Sequence, residues 1–127
     1  MKNSSKIDSR GFSLVELVFG VAILLIVAIG GLGSFINCML LNRSNRDTGI
    51  AATDAQYVLE QIKAQGFSDI SSYISGYPAD QFTNLPGEVV SFPNPSYTST
   101  LATITVQITW NERNAARNFS LTTRFAE

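Results

Sequence analysis

Only a few residue types in this chain could do chemistry. Glu88 and Glu112 form a nominal pair of carboxylates of the kind general acid–base catalysis uses. Both fall in stretches that read as loops with no pocket implied, so the sequence describes them as solvated loop charges. Ser13 is a hydroxyl without a base, because the chain has no histidine. Cys38 is the single cysteine, which excludes an internal disulfide and, with histidine absent, any cysteine–histidine metal or catalytic cluster. It reads as a small apolar packing residue, with an intermolecular bridge or lipidation as the alternatives. The glycine cluster "GGLG" at residues 30–33 lies inside an apolar run and lacks a following Lys-Ser or Lys-Thr, so it is no phosphate cradle. No catalytic residue, metal ligand set or cofactor site is therefore expected, and the chain is read as no enzyme. Acidic side chains Asp69, Asp80 and Glu88 show no dense spacing of calcium-ligand type.

The residue that does stand out is Glu16. It is the only charged residue in "SLVELVFGVAILLIVAIGGLG", and from Leu17 to Ile36 about twenty residues carry no charge. That length crosses roughly 30 Å of hydrocarbon as a helix. A cleavable secretory signal has a shorter core followed by small residues at its cleavage site, and neither is present. Lys2, Lys6 and Arg10 precede the run, against Arg43 and Arg46 beyond it, a modest bias toward a cytoplasmic N-terminus. A carboxylate at the bilayer centre costs about 3 kcal/mol on insertion scales and less near an interface, and it usually marks a partner. At the first turn of a helix an acid also suits the macrodipole.

The surrounding residues select between these readings. "RGFSLVEL" at residues 10–17 resembles the processing site of type IV prepilins and type II secretion pseudopilins. The resemblance implies that a prepilin peptidase/methyltransferase cuts after Gly11, that Phe12 becomes the N-terminus and is N-methylated, and that Glu16 faces the N-terminal amine of a neighbouring subunit. A buried pair of that kind is costly to break, so it acts as a register check that a retained leader would defeat. Where major pilins carry a helix-breaking proline, this chain has Gly30, Gly31 and Gly33, each up to about 1 kcal/mol worse than alanine in a helix. They are the candidates for helix flexibility.

These residues need a long element to position them. Ala51, Ala55, Val58, Leu59 and Ile62 recur at spacings of three and four, with Asp54, Glu60, Gln61 and Lys63 off that face, so the helix is expected to run from Phe12 to about Gln65 and stop at Gly66. At about 1.5 Å per residue that is roughly 80 Å. Residues 67–100 hold all four prolines and read as loop, with a short strand at residues 88–92. Tyr73, Tyr77 and Tyr97 lie in this stretch without interleaved bases and are expected to pack on the head. "TITVQITW" and "NFSLTTRF" alternate apolar and polar residues as two strands joined by "NERNAAR". The fold class is α+β: a long N-terminal helix, its first half membrane-spanning, packed against a small antiparallel sheet as a pilin-like roll. The organisation is a leader at 1–11, a transmembrane or filament-core helix at 12–41 and an exported head at 42–127, the head comprising helix to about 65, loop at 66–99 and a β-hairpin at 100–126.

The expected partners are the processing peptidase, other pilin or pseudopilin subunits and cytoplasmic membrane lipid. The small head, the missing proline and the lack of a cysteine pair closing a C-terminal loop favour a minor subunit of a pilus or secretion pseudopilus. The expected location is the cytoplasmic membrane, spanned once with the N-terminus inside, and then the filament. Two alternatives share the sequence features: a DNA-uptake pseudopilin, and a non-polymerising single-pass protein with an exported binding head. Net charge is −1, and Arg113, Arg117 and Arg124 are the only clustered bases of the head, so nucleic acid is not expected as a partner.

Overall fold

A computed structural model describes residues 13–127. The leader and the residues flanking the expected cut, Gly11 and Phe12, lie outside the described residues. Helix α1, Leu14–Lys63, is followed by a 3-10 turn at Phe67–Asp69, helix α2 at Ile70–Ser75, and strands β1 (Val89–Ser91), β2 (Ser96–Tyr97), β3 (Leu101–Glu112) and β4 (Ala115–Ala126). The chain divides into two compact units between Leu40 and Leu41.

In the first unit the residues of α1 bury nothing. Leu14, Phe19, Ile26, Ile29 and Phe35 are all more than 60% exposed. An apolar helix with no core beneath it meets the length and composition requirement for a membrane span. Gly30, Gly31 and Gly33 sit within α1 without breaking it, and Cβ atoms there would meet nothing within 4 Å. Cys38 is exposed rather than packed, since none of the described residues of this unit is buried.

The second unit is an α+β layer pair. β3 is central: β1 and β2 pair antiparallel with its two ends along one edge, and β4 pairs with its full length along the other. Alternate residues of β3, namely Ala102, Ile104, Val106, Ile108 and Trp110, turn inward and are at most 3% exposed. They meet Ala51, Ala55, Val58 and Ile62 of α1 in one core, with Leu59 partly buried beside them. Phe119, Leu121 and Phe125 of β4 extend the same apolar face and are half-buried. The opposite face is polar, and Thr105 Oγ1 and Thr122 Oγ1 share a hydrogen bond of 2.8 Å across it. Among the described residues β4 has no strand on its outer border, where Arg117 and Arg124 are exposed.

Several details depart from the sequence expectation. The hairpin turn is not "NERNAAR" but the two residues Arg113 and Asn114, at φ 52° and 64°. Positive φ at both central positions gives the twist that matches paired strands, which lets β3 and β4 run right up to the turn. The stretch expected as loop contains the short strand expected at residues 88–92, found as β1, and in addition helix α2 and strand β2: Ile70 and Ile74 drive α2 by burying one side of a single turn and a half. Tyr73 and Tyr77 pack against the core, whereas Tyr97 is 41% exposed. Asp54, expected off the packed face, is buried. Asp47, Ala51, Asp54, Ala55, Val58 and Ile62 form one stripe at spacings of three and four, so the two aspartates share the face that the alanines press inward.

Candidate functional site

Glu16 occupies the first turn of α1, exposed and without a salt-bridge partner among the described residues. The N-terminal turn of a helix carries unpaired N–H groups and the positive end of the macrodipole, so a carboxylate there is locally favourable. Behind it the helix carries no charged residue as far as Asn42.

The head contains two clusters of ionisable groups. In the first, Asp54 accepts hydrogen bonds from Asn84 Nδ2 at 3.0 and 3.3 Å, and Glu88 Oε2 accepts one from the Leu85 N–H at 3.0 Å. Glu88 is 6% exposed, which corrects its reading as a solvated loop charge. Burial holds its carboxyl above the ordinary carboxylate range, and the adjacent Asp54 pushes in the same direction against the backbone N–H groups of Leu85 and Asn84. Glu88 Oε1 and Trp110 Nε1 are buried side-chain atoms without a hydrogen-bond partner among the described residues. The register Val89↔Thr109, continued by one pair, places these two residues opposite each other. Gly87 needs its positive φ of 63° here, and Asn111 Nδ2 comes within 2.7 Å of where a Cβ would stand.

The second cluster surrounds the hairpin turn. Glu112 ends β3 and is not a loop charge: its Oε2 accepts from Arg117 Nε at 3.2 Å and from Ser44 Oγ at 3.3 Å. Arg46 pairs with buried Asp47 at 3.2 Å. Arg43, Asp47, Asn111, Glu112, Arg113 and Asn114 line a cavity of about 380 Å³. The separation of Glu88 and Glu112 into these two clusters leaves no shared acid–base pair. Elsewhere on the head, Gln61 Oε1 accepts from both Tyr73 and Tyr77 hydroxyls at 3.1 and 3.2 Å. Burial, followed by the neighbouring Tyr73 and Tyr57, pushes Tyr77 up to about 12. Among the described residues no three acidic or thiol side chains gather to hold a metal ion.

Sequence reasoning missed the Asp54–Glu88 pairing and the cavity at the turn. The first had a signal in the stripe spacing of Asp47 and Asp54. The second had none, because Arg43 and Arg113 are seventy positions apart.

Residues 7–32 match the family model of the prokaryotic N-terminal methylation motif. No curated protein and no solved structure matches the chain.

Proposed function

Starting from a type IV pilin/pseudopilin-like chain, which the methylation motif at residues 7–32 and the apolar helix support, we propose that it is a minor structural subunit of a type IV pilus or type II secretion pseudopilus. The motif implies processing by prepilin peptidase, membrane anchoring and assembly with other pilin subunits. Proteins of this motif family are structural, and we assign this chain no catalytic role. In our reading the peptidase cuts between Gly11 and Phe12, and Phe12 is then N-methylated. The chain spans the cytoplasmic membrane once, with its head exported, before it enters a filament.

The observation that carries the proposal is the placement of Glu16 inside the matched motif, in the first turn of a helix whose apolar side chains from Leu14 to Met39 are exposed. In a bundle of such helices the carboxylate meets the amine that processing exposes on Phe12 of a neighbour. Water is excluded there, so a slipped register leaves two unpaired charges and is disfavoured. Gly30, Gly31 and Gly33 lower the helix propensity of the segment that must leave lipid for the bundle, and their lack of side chains admits close neighbours.

The test is the intact mass of the protein extracted from its native membrane. Loss of residues 1–11 with gain of one methyl group supports the proposal. A retained leader under conditions where the filament machine is active overturns it in favour of a simple membrane anchor.

A further inference from the structure

The turn between β3 and β4 uses an arginine where the backbone disfavours one. Arg113 stands at φ 52°, in the left-handed region that glycine and asparagine occupy readily and long side chains rarely do. Its neighbour Asn114, at φ 64°, is the residue type such turns favour. The same turn brings Arg113 to the cavity that Arg43 lines from α1. Four arginines gather around this end of the head, and two are already occupied: Arg46 by Asp47 and Arg117 by Glu112. Arg43 and Arg113 are exposed and make no salt bridge among the described residues, so two guanidinium groups remain free beside two acids that are already compensated.

Sequence position says what meets them. From Leu17 to Asn42 there is no charged side chain, and Arg43 is the first charge after Glu16. The stretch Leu14–Leu40 alone amounts to about 40 Å of helix, more than the roughly 30 Å of a hydrocarbon core. The residues just beyond it therefore fall at headgroup depth whenever the span is in a bilayer. Guanidinium groups bind phosphate oxygens through paired N–H donors, and two of them lining one cavity suit a single phosphodiester.

The geometry points to a lipid-phosphate site formed by Arg43 and Arg113, holding the hairpin tip on the headgroup layer while the subunit waits in the membrane. This rests on the membrane-anchoring part of the function proposed above. Entry into a filament would release the lipid phosphate from both arginines, so the contact favours the unassembled state.

The test uses the full chain, labelled at arginine Cζ, in bilayers containing phosphatidylglycerol, with carbon–phosphorus dipolar dephasing as the readout and flotation reporting insertion. Arg43→Gln and Arg113→Asn should each remove one dephased guanidinium, whereas Arg124→Gln should remove none. Asparagine suits the turn better than arginine, so the Arg113 variant keeps the fold. A floating chain in which Arg113→Asn leaves the dephased signal unchanged overturns the site while leaving the anchor intact. Equal dephasing by inorganic phosphate in maltoside micelles makes the site one for free phosphate and also overturns the lipid assignment. A chain that does not float overturns the anchor and this site together.

Discussion

Glu88 is buried beside Asp54, and the loop that precedes β1 is tied to α1 by Asn84 Nδ2, which donates to the Asp54 carboxylate at 3.0 Å. A pair of adjacent carboxyl groups is stable when one member keeps a proton, and the protonated carboxyl then has an O–H to donate. Because the Glu88 value is raised in the folded head, its stabilising contribution is complete below its ordinary value near 4.5 and is lost as pH rises through the raised value. Thermal unfolding of the detergent-solubilised chain should therefore show a component that weakens from mild acid toward neutrality. Glu88→Gln, which keeps an N–H donor without a charge, should flatten that component. A variant with the same pH profile as the parent would count against the shared proton.

The Glu16 proposal makes a prediction about assembly. Glu16→Ala should leave membrane insertion and trimming largely intact and lower the fraction of subunits recovered in sheared filaments. Equal incorporation of parent and variant would refute the charge-pairing account.

Trimming itself should depend on Gly11. Gly11→Val places a branched side chain at the expected cut, and the product should be a full-length membrane protein by intact mass. Normal trimming of this variant would move the cut elsewhere.

The core offers a graded test. Ile104 is fully buried between α1 and the sheet, so Ile104→Ala should cost about 2–5 kcal/mol in denaturant unfolding. Thr105, on the polar face of the same strand, should tolerate alanine at a cost below about 1 kcal/mol despite its bond to Thr122. Equal losses at the two positions would mean the inward and outward faces are misassigned.

Gly87→Ala should destabilise the head by about 1–2 kcal/mol, because alanine is strained at positive φ. Repeating it with Asn111→Ala should recover only the part due to the 2.7 Å approach of Asn111 Nδ2. Full recovery would assign the whole effect to crowding.

The sequence conveyed the fold class because its two periodicities are clean. Ile104, Val106, Ile108 and Trp110 alternate without a break, and the stripe from Ala51 to Ile62 keeps helical spacing. What it conveyed poorly were features set by tertiary neighbours. Asp54 looked solvent-facing because aspartate usually is, yet its position on the stripe and a partner thirty residues away bury it. The turn was read too long because arginine is an unusual occupant of positive φ. Glu16 was conspicuous for the opposite reason: its meaning depends on local contrast with an apolar run, which needs no distant contact to be seen.

The outer border of β4 has a practical consequence. Twelve residues of extended backbone offer N–H and C=O groups to any other extended segment, and the exposed cation of Arg124 discourages a second copy from adding on. Purification at high ionic strength, which screens Arg124, should therefore promote ordered self-stacking, so dilute, low-salt buffers are the safer choice for handling this protein.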